Sequence, residues 1–373
     1  MNSEKNLHIV SFDYPFPPKY GGVIDVFYKI KALKSIGYTI YLHCFVSKNQ
    51  TIDKELQDLV TQCYLYPQKK TFSSFFSFLP FSVNSRNAAE LALNLKKNKA
   101  PILFESCKVT AVLEKNSFAP TLLRLHNVES AYFWGIAKSE TNGFMKLNYY
   151  LEALKFRQFE KKTGLFDAVL TLSQHEQKWS LAQNKQSYYI PLFHGNDKVA
   201  PLSAFGSYAI YSGDMRTSDN RKAVRFLIAV FAKIPDYKLI IAVSDKVNFV
   251  EKHIGTAQNI SVVQPKNYEH LQALLAEAHI NVMVSFQASG TKLKLVNALF
   301  NTRHCLVNQN MVDDADILSL CELASSKAEF TAKIKELRNK PYNEGENRKN
   351  ILSQVYNDVT NAQKIDAIIK NLS

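Results

Sequence analysis

Cysteine is scarce and dispersed in this chain: Cys44, Cys63, Cys107, Cys305 and Cys321 are spread over 373 residues without one Cys-x-x-Cys pair. That pattern excludes a disulfide framework and a thiolate zinc site. Three of the five sit inside apparent strands, so buried free thiols in a reducing cytoplasm are expected. No apolar run approaches the ~20 residues that a membrane-spanning helix needs. The polar start Met1-Asn-Ser-Glu-Lys-Asn, followed only by Leu7 to Phe12, is too short in its apolar part for a signal peptide. Acidic residues are in deficit, 33 against 46 Lys and Arg, for a formal net charge of +13. Such a balance favours nucleic acid, an acidic bilayer or phosphorylated ligands. Nucleic acid is not expected, because the basic residues are spread out and no ribonucleoprotein signature, zinc finger or basic arm accompanies them. Neither a G-x-G-x-x-G nor a Walker sequence occurs.

Hydrophobic residues at 46% and charged residues at 21% belong to a soluble globular mixture. The length suits two domains, each able to bury a core. Short β-rich runs alternate with amphipathic helical runs. Strands are expected at Leu7–Asp13, Thr39–Phe45, Cys63–Tyr66, Ile102–Glu105, Thr121–His126, Ala168–Leu172 and Tyr188–Pro191. Pro191 to Gly206 reads as a linker. A second series follows at Tyr208–Ser212, Leu239–Val243, Ser261–Gln264, Asn281–Phe286 and Cys305–Val307. The expected fold class is α/β, two Rossmann-like doubly wound parallel sheets. Residues 1–195 would form an N-terminal domain, 206–345 a C-terminal one, and 346–373 a terminal helix.

In such sheets ligands bind beyond the carboxyl ends of the strands, and the informative loops all leave a strand there. Ser285 to Phe300 is the clearest. Ala288-Ser289-Gly290-Thr291 make a small-residue loop, and the helix after it carries Lys292 and Lys294. Open backbone N–H groups and the helix dipole make an anion site there. Lysine at the positive end of a helix is unfavourable by itself, and a bound phosphate would offset that. Asp13 to Gly22 is a proline-stiffened loop closed by Gly21-Gly22, which either allow backbone close to a ligand or serve turn geometry alone. Arg124-Leu-His-Asn-Val-Glu129 sets His126 and Asn127 at a strand mouth, as site residues or as structural ones. Tyr211 to Asn220 offers Gly213 for a tight turn and Arg216 as a bidentate phosphate ligand or a solvated loop residue. Ser218 or Asp219 is the expected helix cap.

These loops resemble those of GT-B glycosyltransferases, especially glycosyltransferase family 4. The matching residues are Pro-Pro-Lys-Tyr-Gly-Gly22, Leu-His-Asn-Val-Glu129, Tyr-Ser-Gly-Asp214 with Asn220, and Ser-Gly-Thr-Lys-Leu-Lys294 with Asn-Ala-Leu299. The resemblance implies two domains facing a cleft, the acceptor held mainly by the first and a nucleoside diphosphate-sugar by the second. It also implies no metal, no cofactor, and a last helix crossing back to the first domain. It places Gly21, Gly22, Gly213, Ser289, Gly290, Thr291 and Asn297 at the donor, and His126, Lys294 and Arg216 at the reacting centre. Lys294 would neutralise charge on the leaving diphosphate. Glu105 and Asn127 would contact the acceptor, or Glu105 would simply cap the next helix.

Two departures stand out. Family members often carry two glutamates eight positions apart, where this chain has Ser289 and Asn297, and Asn220 replaces a diphosphate-binding lysine. Asp314-Ala-Asp316 contains an Asp-x-Asp pair, read as helix capping rather than a metal site. Lys69 to Phe81 joins two lysines to five phenylalanines, the composition of an interfacial contact with an anionic membrane or of a packed hydrophobic segment. The function expected is transfer of a sugar from a nucleoside diphosphate-sugar to a glycan or lipid-linked acceptor, with retention, in the cytoplasm or at the inner face of the membrane. The alternatives are an inactive relative serving as a scaffold and a nucleotide-sugar epimerase of the same fold.

Overall fold

Alternation of apolar strands with amphipathic helices resolves into two parallel sheets. The computed structural model describes residues 5–47, 50–69, 77–113, 119–140, 142–287, 292–343 and 345–372. The chain divides into a first unit, Met1–Gly195 with Asn357–Ser373, and a second, Asn196–Tyr356.

The first unit holds β1 (Lys5–Ser11), β2 (Tyr38–Val46), β3 (Gln62–Pro67), β4 (Ile102–Glu105), β5 (Thr121–Leu125), β6 (Ala168–Thr171) and β7 (Ser187–Tyr189). They pair in the order β3-β2-β1-β4-β5-β6-β7, all parallel. Strand order reverses between β1 and β4, which opens a crevice at their carboxyl ends. Both sheet faces are covered. Leu7 and Ile9 of β1 pack with Val26, Ile30 and Leu33 of the helix Gly21–Ser35. Val10 points the other way, among Phe104, Leu123 and Phe156. Each such aliphatic or aromatic side chain stabilises the unit by about 1.5–3 kcal/mol when fully buried. The helix ends where Gly37 adopts φ +93° and returns its N–H to the Lys34 carbonyl at 3.0 Å, a conformation that glycine takes without strain.

The second unit holds β8 (Ala209–Gly213), β9 (Leu239–Val243), β10 (Ile260–Val263), β11 (Ile280–Met283), β12 (His304–Val307) and β13 (Glu322–Leu323). Their order is β10-β9-β8-β11-β12-β13, again all parallel, with the reversal between β8 and β11. The edge strand β13 has only two residues, too few for a periodic signal.

Three boundaries differ from the sequence reading. Residues 196–205, expected as linker, cluster with the second unit: the Ala200 N–H reaches the Phe300 carbonyl at 2.8 Å, and Arg303 Nε donates to the Ser203 carbonyl at 2.7 Å. The helical pattern from 346 onward is two helices, Glu346–Val355 and Asp358–Leu372, because Asn357 accepts the Thr360 N–H at 2.8 Å and starts a new one. The first remains in the second unit, where buried Arg348 donates to the carbonyls of Leu299, Thr302 and Arg303. Those carbonyls end the helix Leu293–Asn301, where a cation is favoured. The second helix packs in the first unit through Ala362, Ile365, Ile368 and Ile369. Asp366 anchors it by accepting from the Tyr38 hydroxyl at 3.0 Å and pairing with Lys5 at 3.2 Å. Finally, the apolar run after Ile280 leaves the sheet at Met283, and the Ser285 N–H is taken by Asn308 Oδ1 at 3.0 Å.

Candidate functional site

The crevice of the first unit is built on a buried charge cluster. Register pairs Glu105 of β4 with Arg124 of β5, so both side chains leave the same face, the one that the helix Gly21–Ser35 covers. Asp25 and Lys29 stand one turn apart on that helix and meet them. Lys29 Nζ donates to Asp25 at 2.7 Å and to both Glu105 oxygens at 2.7 and 2.9 Å. Arg124 donates to Asp25 at 3.0 Å and to the carbonyls of Ile190 and Pro191 at 2.6 and 2.9 Å. The Phe193 N–H completes Asp25 at 2.8 Å. Two acids and two bases thus balance. Burial alone would raise the carboxyl of Asp25, yet Arg124 and Lys29 hold it far below its usual range. Glu105 is likewise lowered, by Lys29 and His126 against the effect of burial.

His126 closes the cluster on its open side. Its Nε2 lies 3.1 Å from Glu105 Oε2 and 4.0 Å from Asp25 Oδ2. A carboxylate only accepts, so Nε2 carries the hydrogen and Nδ1 is the ring's acceptor when the imidazole is neutral. Phe12 packs edge-on against the ring at 5.4 Å. Gly22 makes room for this: a Cβ there would stand 2.7 Å from Phe12 Cζ, whereas one on Gly21 would meet open space. Gly22 is therefore accounted for by packing, and Gly21 leaves the helix start uncovered. Half-buried Asn127 follows His126. Glu105, expected to touch the acceptor or cap a helix, is fully buried and bound to Lys29, and Ser106 is the residue that caps, accepting the Lys108 N–H. The ligand atoms of Asp25, Glu105 and His126 lie within 4.8 Å of one another. Lys29 Nζ already stands 2.7 Å from both carboxylates, the place a cation would take.

In the second unit the crevice centres on Lys294, the second residue of the helix Leu293–Asn301, whose N-cap is Lys292. Lys294 Nζ donates to Asn220 Oδ1 at 3.0 Å and to the Tyr211 hydroxyl at 3.3 Å, and sits 4.8 Å from the Tyr211 ring centre. Burial, assisted by Lys292 and opposed by Asp219, brings its ammonium down to about 8. Tyr211 is wholly buried, and Gly213 leaves space for its hydroxyl, 2.8 Å from where a Cβ would be. Asn220 is itself held by donating its Nδ2 to the Asp214 carbonyl at 2.8 Å, which leaves Oδ1 for Lys294.

Asp219 does not cap its helix. Thr217 does, accepting the Asn220 N–H at 3.4 Å, while Asp219 accepts from Ser285 Oγ and the Phe286 N–H, both at 2.9 Å. It thereby pins the strand end that leads into residues 288–291. The expected donor contacts Ser289, Gly290 and Thr291 lie outside the described residues. Arg216 is largely exposed and folds back on Asp214, its Nε 2.8 Å from Oδ2. Asn297 Oδ1 accepts from Asn196 at 3.0 Å, and Asn301 donates to Asn196 Oδ1 at 3.0 Å. Asp314 caps its short helix through the Ile317 N–H at 3.1 Å, as the sequence indicated.

The sequence reading gave no role to Asp25, Lys29, Arg124, Tyr211 or Asn196, although Arg124 and Tyr211 open two of the loops it singled out. The available signal was Asp25 and Lys29, an i,i+4 pair set within an apolar helix that follows a strand. Of the phenylalanine-rich stretch, residues 70–76 lie outside the described residues, and Phe78 is fully exposed.

No family model matches the chain. An uncharacterized 44.6 kDa protein of the cps region of Klebsiella pneumoniae is 26% identical over 316 residues, covering 79% of this chain and 80% of that protein. Among solved structures, Anabaena HepE in complex with UDP and glucose superposes with a TM-score of 0.64 at 12% identity, covering 99% of this chain and 100% of that one. A glycosyltransferase of Rickettsia africae gives 0.63 at 14% identity, covering 100% and 99%. An E. coli trehalose-6-phosphate structure bound with UDP-2-fluoro glucose gives 0.67 at 10% identity, covering 98% and 99%. The chain has the GT-B fold. In the GT-B frame, two doubly wound units each carry their polar residues at a strand-order reversal, His126 in one and Lys294 in the other.

Proposed function

We propose that the protein transfers a sugar from a nucleoside diphosphate-sugar to a glycan or lipid-linked acceptor, with retention and without a metal. The observation that carries this is Lys294: a part-buried ammonium at the amino end of a helix, beside the carboxyl ends of β8 and β11. Both the helix start and the cation favour a diphosphate there, and the solved relatives that hold UDP or a UDP-sugar support it. The origin of the Klebsiella relative, a cps region, supports a surface polysaccharide as the product.

In the proposed reaction the bond from the anomeric carbon to the diphosphate oxygen breaks, and one from that carbon to the acceptor oxygen forms on the same face. The acceptor proton passes to the departing phosphate. Lys294 offsets the charge that grows on that phosphate, where a fixed cation in low dielectric is most effective. His126 Nδ1 accepts from a sugar hydroxyl, its orientation fixed by Glu105. Asn297 stands at the ribose in place of a glutamate. The test is a thermal-shift panel of nucleoside diphosphates and their sugars, since a ligand of the folded state raises its stability by mass action. A shift with UDP or UDP-glucose that is lost in Lys294→Ala is expected. A panel with no shift in wild-type protein would overturn the assignment.

A further inference from the structure

The helix Gly143–Phe159 is apolar on two opposite faces. Ala153, Phe156 and Phe159 point inward and are buried. Phe144, Leu147, Leu151 and Leu154, spaced i, i+3, i+7 and i+10, form a second stripe that is 79%, 59%, 48% and 50% exposed. Trp134, on the preceding helix Glu129–Ser139, is 43% exposed and lies edge-on to Tyr150 at 4.7 Å. Tyr150 is three or four residues from Leu147 and Leu154, so the aromatic pair borders the stripe. A contiguous outward apolar row of this kind marks an interaction site rather than scattered surface hydrophobics.

The charges beside the stripe identify the partner. Lys146, Lys155 and Arg157 flank it on the same helix, and exposed Lys138 stands on the neighbouring one. The helix has one acid, Glu152, which is buried and accepts the Phe81 N–H at 2.8 Å and Lys155 Nζ at 3.3 Å. An apolar row edged by cations, with no acid exposed on the helix and a bordering tryptophan, is the pattern of a helix lying in a bilayer surface. One helix-wide row about 15 Å long is also short of the ~800 Å² per partner of a stable protein interface. Among the described residues no helix is long and apolar enough to cross a membrane.

We infer that this helix face docks the first unit on an anionic lipid bilayer, the apolar row entering the headgroup boundary and the basic side chains meeting lipid phosphates. The inference stands apart from the sugar chemistry, because it needs no nucleotide. The test is flotation of the full chain with neutral phosphatidylcholine vesicles and with vesicles containing phosphatidylglycerol. Wild type should partition at least tenfold more strongly to the anionic vesicles and lose most of that binding in high salt. Leu147→Glu/Leu151→Glu/Leu154→Glu should abolish it, and Lys146→Glu/Lys155→Glu/Arg157→Glu should weaken it at least tenfold. Every position is at least partly exposed, and circular dichroism would verify that each variant is folded. In a Trp179→Phe background the remaining emission, from Trp134, should shift to the blue on adding anionic vesicles. Wild type that stays with the soluble fraction, or a leucine variant that binds as well as wild type, would overturn the inference. So would a wild-type dimer in sedimentation velocity that the leucine substitutions dissociate, which would assign the face to a second copy.

Discussion

Lys29 Nζ and Glu105 Oε1 stand 2.7 Å apart with neither side chain exposed to solvent. Lys29 also neutralises Asp25, and Arg124 supplies the second positive charge. Desolvating four charges is costly, and their mutual pairing offsets it only while all of them are present. Lys29→Met would leave Asp25 with Arg124 and the Phe193 N–H, and Glu105 with only His126. The expected loss is about 3–5 kcal/mol in urea unfolding, the range for breaking a buried pair. A variant within about 1 kcal/mol of wild type would show that the cluster is held otherwise.

The second prediction concerns Lys294 and pH. In the free protein its ammonium is lost as pH rises through about 8. A diphosphate prefers the charged form, so binding takes up a proton above that pH. UDP affinity, measured by calorimetry, should vary little with this group below pH 8. Above it, affinity should fall about tenfold per pH unit. The Lys294→Ala variant should bind weakly and without that slope. A wild-type affinity that stays level to pH 10 would separate Lys294 from the diphosphate.

Much of this architecture is legible in the sequence because parallel strands buried on both faces are written as continuous apolar runs. Ile102–Glu105 and Leu239–Val243 fall where they were expected, and His126 and Lys294 stand at the ends of their elements. The charge cluster is only half legible: Asp25 and Lys29 show as a charged pair within an apolar helix, but only the register of β4 with β5 brings Glu105 to Arg124. The outward row on Gly143–Phe159 is hidden for a related reason. A helix apolar on both faces reads as buried, and only the fold shows which face is left open. The break at Asn357 is invisible to periodicity, since both helices keep an apolar face.

Gly195 gives a third prediction. It has φ +74°, and a Cβ there would stand 2.1 Å from Cε1 and 2.3 Å from Cζ of Tyr28. Its N–H donates to Asp358 Oδ2 at 2.8 Å, so the backbone is held in place. Gly195→Ala combines left-handed strain with an overlap, and should cost about 2–4 kcal/mol. Gly37→Ala, at φ +93° with nothing within 4 Å, carries only the strain and should cost about 1–2 kcal/mol. Denaturant midpoints of the two variants make the comparison, and equal losses would contradict the overlap.

The last prediction follows from two buried histidines on neighbouring strands of the first unit. His8 Nε2 is 2.9 Å from the Asn98 carbonyl, which can only accept, so that nitrogen donates. His8 Nδ1 then accepts from His43 Nε2 at 3.0 Å, and His43 Nδ1 accepts from the Tyr66 hydroxyl at 2.8 Å. The Tyr66 oxygen accepts in turn from Asn94 Nδ2 at 2.9 Å. All four ring nitrogens and the Tyr66 hydroxyl are paired with both rings neutral, and a proton added to either ring would face a donor. Burial, reinforced by His8, lowers His43 to about 3, and burial lowers His8 as well. Unfolded histidines protonate near pH 6.5, so below that pH the unfolded state binds more protons. Stability should therefore be full above about 6.5 and fall as the solution is acidified, by about 1.4 kcal/mol per pH unit for each histidine. His43→Gln retains a donor and an acceptor but cannot titrate. Its urea-derived stability should start lower than wild type at pH 7.5 and decline less steeply between pH 6.5 and 5, and equal slopes in the two proteins would show that His43 does not set the acid sensitivity.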